Sequence, residues 1–141
     1  GTDKKGSITG IYTVLVEGDD MNEPVADTAR GVLDGHIVLD RKLAYKNHYP
    51  AIDVLGSISR LMSEIASPEH KELAKKLRNV LATYQEAEDL INVGAYAKGS
   101  NPDIDYAISK IKGVNNFLMQ ETTANYSYPE MLEELSSIFL D

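Results

Sequence analysis

The stretch from Gly94 to Ser100 is the part of the sequence that comes closest to a phosphate-binding loop. Such a loop reads G-x-x-x-x-G-K-[ST] and follows a strand, so that its backbone amides and its lysine hold the phosphates of a nucleotide. Here Lys98 comes before Gly99 instead of after it, and the stretch follows a helical pattern. We therefore reject a phosphate loop at this position and expect a flexible turn between two helices.

Histidines and acidic residues are the groups that could bind a metal ion. His36, His48 and His70 fall in three different predicted elements, and no two of them have the spacing of metal ligands on a helix. Asp19 and Asp20 are adjacent in a polar loop, where such acids are usually solvated. The chain has no cysteine, which excludes disulfides and thiolate metal sites. The sequence therefore predicts no metal site.

Arg60 and several tyrosines complete the set of candidate groups. Arg60 follows a mostly apolar segment, and a lone arginine is normally a surface charge of little energetic weight. The tyrosines that flank the predicted turns are more often packing residues than platforms for a ligand; they are Tyr45, Tyr49, Tyr126 and Tyr128. Spacing alone therefore identifies no catalytic group.

The first half of the chain, residues 7–66, mixes strand and helix signals. Ser7–Val16 is rich in β-branched and aromatic residues without strict alternation, which is typical of a strand buried on both faces of a parallel sheet. A short helix is predicted after Pro24, with Gly35 as its C-terminal cap. Its predicted inward residues are Val25, Ala29 and Val32.

Three further short elements follow in this half. Residues 36–39 read as a second strand, and residues 41–46 read as a helix capped by Asp40. Residues 48–52 are predicted to be extended, because a residue before proline avoids the helical conformation. Alternating strands and helices imply an α/β sheet. Since two strands cannot bury both faces of a parallel sheet, the first half is expected to be the end of a larger domain whose beginning is missing.

The second half, residues 67–141, reads as helix throughout. Ser67 followed by Pro68 starts a long amphipathic helix, Asn101 followed by Pro102 starts a second, and Ser127 starts a third. Gly113 lies inside the second pattern, where it is expected to weaken or kink the helix. Three such helices can close a small bundle. Their predicted inward residues are Leu73, Leu77, Val80, Leu81, Tyr84, Ala87, Ile91, Ile104, Ala107, Ile108, Ile111, Val114, Leu118, Met131, Leu132, Leu135, Ile138 and Phe139.

Composition limits the classes of function. The chain has 141 residues and a formal net charge of -8, which disfavours binding to nucleic acid because that binding needs a basic surface. Solubility explains the acidity more simply than a basic partner does. No apolar run approaches the roughly 20 residues that span a bilayer, and no signal peptide is visible. The lack of cysteine suits a reducing compartment.

Three segments carry a resemblance to a known family: Gly6–Thr9, VEGDDMNEPVADTARGVLDGHIVL (Val16–Leu39) and NHYPAIDVLGSISRLM (Asn47–Met62). With them the chain resembles the flagellar and type III secretion export ATPases, which are relatives of the catalytic subunit of rotary ATP synthases. The helical half fits less tightly, through INVGAYAKG and Phe117–Gln120. The residues of these first segments favour the export branch of the family over ATP synthase itself. Within the export branch, the flagellar type is preferred.

The resemblance implies a fold and two site residues. Residues 1–66 would be an α/β remnant, the C-terminal end of a RecA-like ATPase domain, and residues 67–141 an all-α C-terminal helical domain. Arg60 matches the arginine that reaches into the ATP site of the neighbouring subunit, where such a finger stabilises charge on the transferred phosphoryl group. Tyr49 matches the aromatic residue that stacks on adenine. The second wall of that adenine pocket would come from the segment after Gln120, where no residue of the ATP synthase pattern transfers.

The resemblance also implies cofactors and partners for the parent protein. It would be a cytoplasmic homo-hexamer that uses ATP and Mg and associates peripherally with the export apparatus at the membrane. The family's phosphate loop, magnesium-binding aspartate and catalytic glutamate precede the part of the family that this chain matches, so neither ATP nor Mg is expected to bind it alone. Residues 67–141 would meet a coiled-coil stalk protein and export chaperones or gate proteins.

The turn between the first two long helices aligns with the part of the family that faces the stalk. Five acidic residues lie in and before this turn, and they would suit a basic coiled coil: Glu86, Glu88, Asp89, Asp103 and Asp105. A solvated tip of a helical hairpin is the plainer interpretation of the same charges.

Two hypotheses therefore remain for the chain itself. In the first, it is a fragment of an ATP-hydrolysing motor subunit that supplies an arginine finger, part of the adenine pocket and a partner-facing helical domain. In the second, it is a non-enzymatic interaction module whose helical half docks a stalk, a chaperone or a gate protein.

Overall fold

The computed structural model describes residues 5–140 of the chain. The chain falls into two compact units, the first reaching to Leu33 and the second starting at Asp34. The first unit contains a 3-10 turn, Glu17–Asp19, and helix α1, Pro24–Val32. The second contains strand β1 (Gly35–Leu39), helix α2 (Arg41–Tyr45), strand β2 (Ile52–Ser59) and helices α3 (Met62–Ile65), α4 (Pro68–Asn92), α5 (Pro102–Leu118) and α6 (Tyr128–Ile138).

The first unit departs from the strand that the sequence predicts. Ser7–Val16 is not in a strand, and its large side chains are exposed, with Ile11 at 94% and Leu15 at 90%. The prediction is wrong for this structure, because a strand forms only against a partner backbone and the sheet of residues 5–140 consists of β1 and β2 alone. The composition of Ser7–Val16 suits a strand, but composition does not supply that partner.

Helix α1 buries a different face from the predicted one. Ala26 is its buried residue, whereas Val25 and Val32 are 61% and 77% exposed. The inward assignment of the two valines is therefore wrong, since the described part of this unit contains no layer that covers them. Gly35 does not cap α1 either; it begins β1, and a Cβ there would lie 2.6 Å from the carbonyl oxygen of Ile58 on the opposite strand.

Strands β1 and β2 pair antiparallel, which corrects the predicted parallel sheet. Gly35 faces Ser59 at one end of the ladder, and Leu39 faces Ile52 at the other. The connection between the strands is short and contains α2, which the side chain of Asp40 caps by accepting a hydrogen bond from the amide of Lys42 at 2.8 Å. The helix in this connection has only five residues, whereas a parallel return usually runs through a longer crossover helix.

The three long helices begin where the sequence predicts. The side chains of Ser67, Asn101 and Ser127 each accept a hydrogen bond from an amide of the first turn, and a proline occupies the first positions of each helix. At Ser127 the cap is reciprocal, because the carboxylate of Glu130 also accepts the amide of Ser127 at 2.8 Å. These caps satisfy backbone donors that a helix start otherwise leaves unpaired.

The core of the second unit lies between α4, α5 and α6. Its buried residues are Leu73, Leu77, Val80, Ala107, Val114 and Leu135, all predicted to face inward. Ile108 was also predicted to face inward, but it is 37% exposed. Helix α5 runs through Gly113 without interruption, contrary to the expected kink. A Cβ on Gly113 would lie 3.3 Å from Ile138, so the glycine permits close approach of α5 and α6.

Candidate functional site

Strand β2 leaves the regular ladder between Asp53 and Ile58, a short distance before Arg60. His36 pairs with Ile58, but Val38 pairs with Asp53, so four residues of β2 stand opposite the single residue Ile37. We call these four residues, Val54–Ser57, the β2 bulge. Bulges bend a strand and redirect the side chains that follow it.

Two side chains of β2 itself form hydrogen bonds with backbone groups in or next to the bulge. One carboxylate oxygen of Asp53 accepts the amides of Leu55 and Gly56, both at 3.0 Å. The hydroxyl of Ser57 donates to the carbonyl of Asp53 at 2.6 Å and accepts the amide of Val38 at 2.9 Å. The bulge is therefore a hydrogen-bonded turn that is tied to β1 as well as to its own strand.

Two side chains from outside satisfy the carbonyl groups of the bulge. The guanidinium of Arg78, on α4, donates to the carbonyls of Val54 at 2.5 Å, Leu55 at 3.1 Å and Ser57 at 3.3 Å. Nε2 of His36 lies 3.2 Å from the carbonyl oxygen of Gly56, and because a carbonyl only accepts, that nitrogen carries the hydrogen. Sequence reasoning missed Arg78, since nothing distinguishes it from the other charges on the outer face of α4.

Arg60 follows β2 directly. Its amide donates to the carbonyl of Asp34 at 2.8 Å, which continues the pairing of the two strands by one more residue. The residue is exposed, and it lies two positions before α3. Its backbone is therefore held by the ladder, while its side chain is accessible from outside the unit.

Tyr49 lies beyond the other end of the ladder. It is 54% exposed and precedes Pro50, to which it is joined by a cis peptide bond. Its carbonyl accepts the amide of Gln120 at 2.9 Å, which brings the start of the segment after α5 against Tyr49. The ladder from Gly35 to Leu39 is about 13 Å long, so the structure does not bring Tyr49 and Arg60 together.

His48, next to Tyr49, is partly buried. Partial burial lowers its pKa below the ordinary value of 6.5, because desolvation disfavours the charged imidazolium. His36 and His70 lie elsewhere: His36 contacts the bulge, and Nδ1 of His70 lies 2.9 Å from the hydroxyl of Tyr128. The three histidines are thus in separate places, as the sequence predicts.

Metal-binding side chains do not gather in the described chain. Among residues 5–140, no group of three or more His, Asp or Glu residues could hold a metal ion. Asp20 instead accepts the amide of Asn22 at 3.0 Å, and the side chain of Asp19 lies outside what the structure describes. No helix of residues 5–140 has both the length and the apolarity to cross a lipid bilayer.

The turn between α4 and α5 is closed by its own hydrogen bonds. Gly94 and Gly99 have positive φ angles of 69° and 91°, which favour glycine. The carboxylate of Asp105 accepts the amide of Gly99 at 2.8 Å, and the hydroxyl of Tyr96 lies 3.0 Å from the same carboxylate. The Gly99 amide is therefore occupied by a side chain of the protein and is not turned toward a phosphate.

The acidic residues near this turn are not equivalent. Glu88 forms an ion pair with Lys46 at 3.2 Å, and Asp105 closes the turn. The exposed acids that remain are Glu86 and Asp89 near the end of α4 and Asp103 in the first turn of α5, and the apolar residues Leu90 and Val93 at the end of α4 are also exposed. We call these five residues the hairpin-tip surface. The sequence pattern indicated its acids but not its two apolar residues.

Comparison with known sequence families shows which family this chain belongs to. Residues 66–137 match the family of the T3SS EscN ATPase C-terminal domain. The chain belongs to that family. Residues 1–59 match the nucleotide-binding domain of the ATP synthase alpha/beta family, so each half of the chain matches a family named for an ATPase or an ATP synthase. The resemblance drawn from the sequence is confirmed.

Individual relatives come from both export systems. The chain is 55% identical to the flagellum-specific ATP synthase of Bacillus subtilis over 134 residues, which are 95% of this chain and 30% of the relative. It is 50% identical to the SPI-2 type 3 secretion system ATPase of Salmonella typhimurium over 141 residues, which are 100% of this chain and 33% of the relative. The chain thus spans about a third of the length of these relatives.

Solved structures show the same fold. The assembled ATPase EscN from the enteropathogenic E. coli type III secretion system superposes with a TM-score of 0.92 at 45% identity, over 96% of this chain and 33% of that one. EscN in complex with its central stalk EscO gives a TM-score of 0.88 at 42% identity, over 99% and 33%. The predicted fold class, the end of a nucleotide-binding domain followed by a helical domain, is confirmed.

Proposed function

We propose that this chain is the C-terminal part of an ATP-hydrolysing subunit that energises flagellar or type III protein export. Its membership of the EscN family supports the proposal, together with the exposed Arg60 at the end of a strand whose backbone is fixed by hydrogen bonds. On this proposal the division of the chain lies between residues 66 and 67. The separate family matches to residues 1–59 and 66–137 support that division.

Arg60 is the proposed catalytic residue. Its guanidinium would reach the ATP site of a neighbouring subunit in a homo-hexamer and stabilise the charge that develops on the transferred phosphoryl group. Arginine suits this role because it is planar and permanently charged and offers several donors to phosphate oxygens. An exposed side chain on a fixed backbone is what such a reach requires.

Tyr49 is the proposed adenine contact, and the residues that follow Gln120 would form the other side of that pocket. The half-exposed ring and the hydrogen bond between Gln120 and Tyr49 support this proposal. The groups that bind the phosphates and Mg of ATP would lie in other parts of the parent protein. The isolated chain is therefore expected to show no appreciable ATP turnover.

Replacing Arg60 in the full-length parent protein tests the proposal. Arg60→Ala is expected to lower the rate of ATP hydrolysis by roughly 10³–10⁵-fold and to leave ATP binding largely intact. Arg60→Lys is the matched control for charge without the planar fork, and it is expected to recover little of the rate. Loss of ATP binding with an unchanged chemical rate would contradict the proposal and assign Arg60 a structural role.

The hairpin-tip surface favours the second candidate function, an interaction module, within the same protein. Three exposed acids and two exposed apolar residues suit a basic amphipathic coiled coil, and the relative EscN has been solved with its central stalk. We propose a stalk protein as the partner at this surface. Export chaperones or gate proteins as further partners of residues 67–141, a cytoplasmic location and peripheral association with a membrane-bound export apparatus belong to the same proposal.

A binding experiment separates the two functions. Residues 67–141 alone are expected to retain a coiled-coil stalk protein in a pull-down if the chain is an independent module. Binding that appears only with the assembled hexamer would instead assign the partner to a composite interface. Leu90→Asp, at the hairpin-tip surface, is expected to weaken either interaction, and Lys75→Asp on the outer face of the same helix serves as its control.

A further inference from the structure

We propose that Arg78 is a positioning residue that couples helix α4 to the arginine finger Arg60. This inference rests on the proposed role of Arg60. It assigns to Arg78 no contact with ATP. One side chain of the helical domain holds the β2 bulge, and only two paired residues separate that bulge from Arg60.

First, side-chain hydrogen bonds hold the backbone of the bulge along its whole length. All the carbonyl groups from Asp53 to Ser57 accept a hydrogen bond from a side chain, and three of the five accept from Arg78. A guanidinium presents its donors in a rigid fork, so it can hold several carbonyls at fixed mutual distances. Arg78 therefore fixes the shape of the bulge as well as its distance from α4.

The second step is the short path from the bulge to Arg60. Only Ile58 and Ser59 separate Ser57 from Arg60, and both are paired across the ladder with β1. The amide of Arg60 is paired in turn with Asp34. Because every residue between the bulge and Arg60 is paired with β1, a shift of the bulge is transmitted to Arg60. Such a shift changes the direction in which the Arg60 side chain leaves the strand.

The third step is the attachment of Arg78 to the helical core. Its neighbour Leu77 is buried in the contact between the three long helices, and Val54 of the bulge packs against the same core. Leu90 of the hairpin-tip surface follows Arg78 by twelve residues on the same helix, which is about 18 Å. A partner that displaces α4 at its tip would therefore move Arg78, and with it the bulge.

Kinetics of the full-length parent protein test this coupling. Arg78→Gln is expected to lower the rate of ATP hydrolysis roughly 10- to 100-fold. A mutation far from the reacting atoms that displaces a catalytic group by about 1 Å can have an effect of that size. The KM for ATP and the assembly of the hexamer are expected to stay unchanged. Lys75→Gln is the matched control, because Lys75 is another exposed cation on α4. This variant is expected to behave as the unmodified protein does. An unchanged rate in Arg78→Gln would overturn the proposal.

The double variant separates a positioning role from a general structural one. If Arg78 acts through Arg60, then Arg60→Ala with Arg78→Gln is expected to be no slower than Arg60→Ala alone in single-turnover assays with radiolabelled ATP. A further loss of the same 10- to 100-fold in the double variant would show that Arg78 acts independently and would overturn the inference. If Arg60→Ala alone leaves the rate unchanged, the proposed function fails instead, so the two failures are distinguishable.

Hydrogen exchange keeps the inference testable if Arg78→Gln does not fold. Arg78→Lys keeps the charge and the apolar stem but cannot reproduce the fork. It is expected to increase amide exchange in a peptide covering residues 53–60 and to recover only part of the rate. Lys75→Arg is its control. Unchanged exchange at residues 53–60 in Arg78→Lys, with full activity, would contradict the inference.

Discussion

The β2 bulge and the core between α4, α5 and α6 lie in the same unit, yet different interactions hold them. The core contains six buried apolar residues and is closed by packing. The bulge is held by the side chains of Asp53, Ser57, His36 and Arg78, each of which pairs with backbone groups. Apolar packing is non-directional and tolerates small adjustments, whereas hydrogen bonds fix distance and angle.

Position must be fixed more precisely at the bulge than in the helical core. Packing of three amphipathic helices fixes the helical domain as a body, and capping residues fix where each helix starts. The residues before Arg60 are instead held by a directional network. This arrangement suits a side chain that must be aimed. Substitutions in the core should therefore reduce overall stability more, and substitutions in the bulge should reduce it less and loosen mainly the segment around the bulge.

The largest expected effect is in the core. Leu77→Ala removes a side chain that is 5% exposed and leaves a cavity between the helices. We expect it to lower the free energy of unfolding by about 2–5 kcal/mol, measured by urea unfolding. Leu90→Ala on the same helix is the control, since Leu90 is 52% exposed and its truncation should change stability by less than about 0.5 kcal/mol. Equal losses in the two variants would show that packing between α4, α5 and α6 is not what stabilises the unit.

A smaller effect is expected in the bulge. Asp53→Ala leaves the amides of Leu55 and Gly56 without their acceptor, which should lower the free energy of unfolding by about 1–2 kcal/mol. Amide exchange should increase in residues 53–60 more than in α5. Asp53→Asn keeps an acceptor oxygen and is the matched control. A uniform increase in exchange over both segments would show that the bulge is not a separate local network.

The start of α6 should show an effect of about the same size or less. Ser127→Ala removes one partner of the reciprocal cap and is expected to lower the free energy of unfolding by about 1 kcal/mol, whereas Ser127→Asp keeps the cap. Hydrogen bonds from the side chain and backbone of Ser127 lower the pKa of Glu130 below 4.5. The stabilisation linked to Glu130 is therefore present above pH 4.5 and is lost as the pH falls through the lowered pKa. A cap that stabilised the protein equally at low pH would contradict this account.

The smallest expected effect concerns His48 beside the ladder. Because burial lowers its pKa below 6.5 in the folded chain, the unfolded chain binds a proton first as the pH falls. Its contribution to stability is therefore complete above pH 6.5 and is lost as the pH falls through the folded pKa. Unfolding of His48→Gln at a series of pH values should lack this dependence. A stability that rises on acidification in the unmodified chain but not in His48→Gln would reverse the sign and contradict the burial of the ring.

Much of the helical half could be predicted because its signals are local. Ser67 with Pro68, Asn101 with Pro102 and Ser127 with Pro129 each specify a helix start within four residues of sequence. The 3.6-residue period then indicates which face is buried. Ile108 is the exception, since a period identifies a stripe but not how far the neighbouring helices extend over its edge.

The sheet was predicted less well because its partners are distant in sequence. The pattern of Ser7–Val16 suits a strand, but a strand needs a neighbour that the described chain does not provide. The direction of β2 depends on the connection through α2 and not on the residues of either strand. The bulge, four residues against one, has no periodic signature at all. Arg78 was missed for the same reason, because its three acceptors lie more than twenty positions earlier in the chain.

Sequence patterns alone were enough to establish the helix starts and most of the helical core, and the resemblance to a family singled out Arg60 and Tyr49 as candidate residues. The helix starts and the core pattern depend on residue type and on spacing within a few turns of chain, whereas Arg60 and Tyr49 depend on the longer segments that resemble the family. The tertiary structure decided that β1 and β2 run antiparallel, that the Gly94–Ser100 turn is closed by Asp105 and that Arg78 holds the segment before Arg60. Those features depend on groups that meet only after the chain has folded, because hydrogen bonds between distant residues form only when packing has set their distance.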